Sequence, residues 1–133
     1  MVDGVAKHIA ADKIELIPNI SDCDFFDIGK KNIKDSFYFG VSDKLVVSYV
    51  GAIGKVNNMD SFLDVATECL SRGMKEVVFL VAGKGGELNR IKHVAKERGL
   101  NNIRFVGFLN RQDVKRLLSV AFSHPDDLKN LQI

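Results

Sequence analysis

Between Lys44 and Ala121 the chain repeats one unit three times: a short apolar run, a Gly-containing turn, then an amphipathic stretch of helical period. The runs are Leu45-Val46-Val47-Ser48-Tyr49-Val50, Val77-Val78-Phe79-Leu80-Val81-Ala82 and Ile103-Arg104-Phe105-Val106. Each predicts a buried strand, and their alternation with helices predicts a parallel sheet with crossover helices. After the first run, Phe62, Leu63, Ala66, Cys69 and Leu70 share one helical face that ends near Arg72-Gly73. The second helix is expected to open at Glu87, bury Leu88, Ile91, Val94 and Ala95, and stop at Gly99, with Lys96 and Arg98 near the negative end of its dipole. In the third, Asn110 and Asp113 form a capping pair ahead of a stripe of Val114, Leu117, Leu118 and Ala121.

Strands dry on both sides and helices dry on one give a sheet covered on its faces. A right-handed crossover after each strand sets the order 3-2-1, half of a doubly wound sheet. The predicted fold class is therefore α/β: a three-layer, Rossmann-like half-domain with a short parallel sheet flanked by helices. Its edge beside Leu45 to Val50 is expected to be partly open, covered either by a strand over Ile14 to Ile17 or by another chain.

Ahead of the repeat, Val5, Ile9 and Ala10 make a weak helical stripe, and Lys13-Ile14-Glu15-Leu16-Ile17 alternates like a strand before Pro18-Asn19. From Ser21 to Asp43 the periodicity dissolves into acidic and basic clusters with Phe25, Phe26, Phe37 and Phe39 scattered among them. So many aromatics predict an anchored connector, because flexible linkers seldom carry them.

Composition narrows the partners. The 133 residues are one domain's length with 46% hydrophobic content, and a net charge of +2 gives no reason to expect nucleic acid. Cys23 and Cys69 stand far apart, unlike a zinc ribbon or redox dithiol, and fit a reducing cytosol. No apolar stretch approaches the roughly 20 residues that span a bilayer, and a signal-peptide pattern is missing, so a soluble cytoplasmic chain is expected.

Open parallel sheets bind ligands at the carboxyl ends of their strands. Here those ends read Gly51-Ala52-Ile53-Gly54, Gly83-Lys84-Gly85-Gly86 and Gly107-Phe108-Leu109, three Gly turns on one rim that suggest a nucleotide or phosphate site. Gly83 to Gly86 joins a strand to a helix, where free N–H groups and a helix dipole hold anions. It lacks the third Gly of the dinucleotide fingerprint, since Leu88 stands there, and the Lys-Ser/Thr of a P-loop. A tight turn that merely needs positive φ accounts for these glycines as well as phosphate binding does. Lys55 is placed to meet a phosphate as a point charge, although a solvated loop lysine is the simpler account. His8, His93 and His124 have no partners at metal-ligand spacing, no Ser occupies a nucleophile elbow, and no catalytic residue or cofactor is assigned.

Five segments in order resemble the family 4 glycosyltransferases: Ile14-Glu15-Leu16-Ile17-Pro18-Asn19 with Asp24-Phe25-Phe26, Val47-Ser48-Tyr49-Val50-Gly51, Asp60 to Ala66, Phe79-Leu80-Val81-Ala82-Gly83-Lys84-Gly85, and Asn102 to Phe108. The resemblance runs from Val2 to Ala121 and implies the two-Rossmann GT-B architecture. Residues 1–43 would be the end of the acceptor-side domain and the interdomain connector, and residues 44–133 a partial donor-binding domain. It implies a nucleotide-sugar site of Gly51, Ala52, Gly54, Lys55, Asn57, Gly83, Lys84, Gly85, Gly107, Phe108 and Leu109, with Gly83 to Gly85 near phosphates and Gly107 to Leu109 near the base.

Many members carry an Arg and a Lys after the first strand to hold the donor diphosphate; this chain has Ala52 and Asn57 there. Transferases that build surface polysaccharides are similar in their Gly-x-Ile-Gly turn. Beyond Ala121, where the family continues to a fourth strand and a Glu-rich donor-gripping motif, this sequence reads Phe122-Ser123-His124-Pro125-Asp126-Asp127.

The resemblance thus implies part of an enzyme that transfers a sugar from a UDP- or GDP-sugar to a glycan or lipid-linked acceptor, inactive by itself. The full-length enzyme is expected in the cytoplasm or peripheral at the inner face of the membrane. The rival account is a non-catalytic scaffold module, either nucleotide-binding or dimerising; a homodimer through the exposed sheet edge is expected with either. A sugar-nucleotide epimerase ranks last, because no His or carboxylates are placed to line its cleft.

Overall fold

The computed structural model describes residues 22–26 and 33–121 of the chain. The helix and strand expected before Pro18, and everything after Ala121, lie outside the described residues. Within them the order is α1 (Ile33–Tyr38), β1 (Leu45–Val50), a 3₁₀ turn (Lys55–Asn57), α2 (Met59–Ser71), β2 (Val77–Ala82), α3 (Leu88–Glu97), β3 (Ile103–Gly107) and α4 (Arg111–Ala121).

All three strands are parallel, in the order β1-β2-β3, which is the expected 3-2-1 arrangement. Leu45 pairs with Val77 and the register holds to Val50 opposite Ala82. Between β2 and β3 it shifts at Val81/Ala82, so that Phe105 faces Val81 while Gly107, not Val106, faces Ala82.

Because side chains alternate across a strand, β2 feeds two separate cores. Val77, Phe79 and Val81 meet Met59, Leu63 and Ala66 of α2 and Ile91 and Ala95 of α3, with Ile53 and Leu100 closing the cluster. Val78, Leu80 and Ala82 meet Val46 of β1, Leu117 and Val120 of α4, and Phe39 and Val41 from the segment after α1. Every residue of β2 is buried. The expectation that all strands are dry on both sides is corrected at the flanks: β1 and β3 are each only partly buried. Among the described residues each has a neighbour on one side alone, and Val47 and Val50 remain 36% and 41% exposed.

The helices stop where the glycines predict. At the end of α2 the Gly73 N–H donates to the Leu70 carbonyl and Met74 to Cys69; α3 repeats this with Gly99 to Lys96 and Leu100 to Ala95, two Schellman closures. At the start of α4, the Asp113 N–H donates to Asn110 Oδ1 (2.9 Å) while Asn110 Nδ2 donates to Asp113 Oδ2 (2.8 Å), as the capping pair predicts. The buried face of α4 differs from its expected stripe: Leu117 is buried but Val114, Leu118 and Ala121 are half-buried, while Ser119 and Val120 are buried. Packing against α1 as well as the sheet explains this: Ser119 Oγ donates to Asp35 Oδ2 (3.0 Å) on α1.

The stretch from Ser21 to Asp43 was expected to be irregular, yet it contains α1. Six residues are too few to display a helical period, and this helix exists through its contacts. Ser36 and Phe39 are buried, Phe37 and Tyr38 exposed, and Arg104 Nη1 of β3 donates to the carbonyls of Phe39 (3.0 Å) and Gly40 (2.8 Å). The anchoring expected of Phe25 and Phe26 is present. The Arg111 guanidinium lies 4.0 Å from the centre of the Phe25 ring and pairs with Asp22, and Lys115 lies 5.2 Å from the same ring. Arg111 and the Phe25 N–H together hold the Asp22 carboxyl below its usual pKa, the backbone bond being the larger cause.

Since Leu80 is fully buried at the centre of the sheet, Leu80→Ala should cost about 3 kcal/mol in a urea unfolding series.

Candidate nucleotide-sugar site

Where the strands end, their loops are tied to one another rather than splayed. The Gly51 N–H donates to the Ala82 carbonyl (3.0 Å), Ile53 to Lys84 (3.0 Å) and Glu87 back to Ile53 (3.1 Å). On the other side Gly83 donates to the Gly107 carbonyl (2.7 Å). These bonds carry the parallel ladder past the strands and into the rim. Ile53 is fully buried and anchors the first loop, and the Tyr49 hydroxyl donates to the Ala52 carbonyl (2.6 Å).

Two glycines permit this closeness. A Cβ on Gly83 would stand 1.9 Å from the Gly51 carbonyl oxygen, and one on Gly85 would stand 2.2 Å from that of Ile53. Gly83 also has φ +147°, a conformation that side chains avoid. Their presence is thus accounted for by loop-to-loop contact, whatever they bind. Gly86 has open space around it.

The tied loops enclose a cavity of about 470 Å³, within the size range of small-molecule sites. Its walls are Val50, Gly51, Ala52, Ala82, Gly83, Lys84, Phe108, Leu109 and Val114. Six of the sequence-derived site residues are therefore brought together: Gly51, Ala52, Gly83, Lys84, Phe108 and Leu109. Gly54, Lys55, Asn57, Gly85 and Gly107 are not in the lining; Lys55 and Asn57 lie exposed in the 3₁₀ turn, while Gly85 and Gly107 shape the loops from behind. Val50, Ala82 and Val114 were not singled out from the sequence. The first two are simply the last residues of their strands, a position that signals a rim in any parallel sheet.

Among the described residues, one charge and one aromatic ring interrupt an otherwise apolar and main-chain surface. Lys84 Nζ sits 4.7 Å from the centroid of Phe108, whose side chain is 70% exposed. Just outside, Glu87 precedes α3, where its carboxylate would oppose a bound anion. Arg90 offsets that charge: its Nε donates to Glu87 Oε2 (2.6 Å), while Nη1 and Nη2 grip both oxygens of Asp60 (2.9 and 2.7 Å). These bonds lower the Asp60 pKa and raise that of Arg90, and they brace α2 against the start of α3. Among the described residues no group of three His, Cys, Asp or Glu could hold a metal.

Residues 31–123 match the family described as Glycosyl transferases group 1. The chain belongs to that family. Among curated relatives, this group 1 glycosyl transferase chain is 22% identical over 131 residues to a protein named for glycosyl transfer in colanic acid biosynthesis, WcaI of Escherichia coli (strain K12), covering 93% of the chain and 30% of the relative. It is 25% identical over 84 residues to the alpha-D-kanosaminyltransferase of Streptomyces kanamyceticus, covering 62% of the chain and 22% of the relative. The chain thus spans less than a third of the length of either. Among solved structures it resembles Anabaena Alr3699/HepE in complex with UDP and glucose, with TM-score 0.64 and 19% identity over 86% of the chain and 31% of the neighbour. That likeness establishes the group 1 glycosyl transferase chain as a Rossmann-like α/β fold of the same kind.

Loop contact at Gly83 separates two otherwise similar substitutions. Gly83→Ala should lower stability by more than about 2 kcal/mol, whereas Gly86→Ala should stay within about 0.5 kcal/mol of the parent in thermal unfolding.

Proposed function

We propose that the cavity is the donor side of a sugar transferase and receives the nucleoside diphosphate part of a UDP- or GDP-sugar. The observation that carries this is the convergence of three strand ends on one cavity whose only charged side chain, among the described residues, is a cation and whose only aromatic one is exposed. A diphosphate suits the cation and a base suits the ring. Membership of the glycosyl transferases group 1 family supports the reaction, and the UDP complex of the Anabaena neighbour supports the ligand class.

Within the GT-B enzymes of family 4, residues 44–133 take the place of the first half of the donor-binding domain. Residues 1–43 take that of the end of the acceptor-side domain and the connector. The activity belongs to the two-domain enzyme, in which the leaving diphosphate is stabilised while a glycan or lipid-linked acceptor approaches across the cleft. The name of the Escherichia coli relative favours surface polysaccharide as the product. A lipid-linked acceptor would bring such an enzyme to the inner face of the membrane from the cytoplasm. The 133 residues assayed by themselves are expected to transfer nothing.

Titration with UDP-glucose and a GDP-sugar should shift the amide resonances of Gly83 to Gly86 and Phe108, with a dissociation constant near 1 mM, about 4 kcal/mol of binding. No shift at millimolar ligand would favour the dimerising scaffold instead.

A second copy of the chain is the proposed cover for the outer edge of β1, because its main-chain groups on that side have no strand partner among the described residues and Val47 is part-exposed. Sedimentation should then show a concentration-dependent dimer, lost in Val47→Lys; a strict monomer would count against it.

A further inference from the structure

Among the described residues the cavity carries one cation and one aromatic ring, and the two are spent on each other. Lys84 Nζ stands 4.7 Å over the Phe108 ring, which is otherwise 70% exposed. We propose that this stack is an internal stand-in for the ligand: a nucleoside diphosphate displaces Lys84 from Phe108, the base taking the ring face and the diphosphate taking the ammonium. The inference rests on the nucleotide reading above and adds to it a defined exchange between two side chains.

The backbone around both residues is held, so the exchange requires side-chain rotation alone. The Lys84 carbonyl accepts from Ile53 (3.0 Å), and Gly107, immediately before Phe108, accepts from Gly83 (2.7 Å). Both side chains are exposed and reach the cavity from neighbouring strand ends. A base stacks on an aromatic face more strongly than an exposed ammonium does, and an ammonium prefers a phosphate to a ring. A ligand with both groups therefore satisfies both residues at once. One with a base alone must evict Lys84 and leave it with water.

That asymmetry gives opposite signs for two ligands at one substitution. In Lys84→Ala the competitor for the ring is gone, so uridine should bind about three-fold more tightly. The phosphate contact is gone too, so UDP should bind about five-fold more weakly. Lys84→Arg, which keeps the charge, should restore the parental order of affinities. A merely structural lysine would move both ligands in the same direction or neither.

The test is titration of the whole 133-residue chain and the two variants with uridine and UDP, and with guanosine and GDP in parallel, after thermal unfolding confirms that the variants fold. The Lys84 Cε protons are followed by NMR in the same samples. Ring shielding should hold them upfield in the free protein and release them on addition of the diphosphate. If a diphosphate binds but Lys84→Ala leaves its nucleoside unchanged or weaker, or the Cε protons do not move, the exchange is overturned and the nucleotide site stands. If neither diphosphate binds the parent chain, the nucleotide reading falls and the exchange falls with it.

Discussion

Contact between two loops at main-chain distance is the constraint on which the rest depends. Gly83 and Gly85 lie so near the carbonyls of Gly51 and Ile53 that no side chain fits between them. Because the loops touch, the hydrogen-bond ladder continues past β1 and β2, Ile53 drops into the core under α2 and α3, and the rim becomes a continuous wall. Without it the strand ends would be separate turns around solvent. With it they enclose a space in which a ligand meets a backbone that has little left to reorganise, which lowers the cost of binding.

Both cores converge on the same central strand. β2 is buried along its whole length and supplies alternate side chains to the two helical layers, so loss of either layer exposes half of it. The segment from α1 to Val41 belongs to this architecture as fully as the helices do. Val41 is completely buried beneath the sheet, and Arg104 ties the carbonyls of Phe39 and Gly40 to β3. Surface ion pairs such as Arg98 with Asp64 link α3 to α2 and are individually worth little. What fixes the cavity is packing and main-chain pairing.

The strands and three long helices were legible because each repeats its period often enough to be counted, and because Gly73, Gly99 and Asn110 mark ends through local chemistry. Helix α1 was not. At six residues it has no period to read, and its stability comes from Asp35, Phe39 and Val41 meeting partners far along the chain. Partial exposure of β1 and β3 was hidden for a related reason: Val47 and Ile103 look equally apolar, and only neighbours decide which is covered. Six lining residues were legible from their place at strand ends. Lys55 and Asn57 fall outside the cavity because the 3₁₀ turn carries them away, a turn that nothing in their own chemistry announces.

One irregularity in the sheet bears on that cavity. Since Gly107 rather than Val106 stands opposite Ala82, the chain has gained a residue relative to its neighbour before it reaches Phe108. Phe108 therefore leaves the sheet one residue out of step with the register set by Phe79 to Val81. Which residue greets an incoming molecule is therefore decided by arithmetic in the backbone. A one-residue deletion within β3 would rewrite the rim while leaving every rim residue in the sequence.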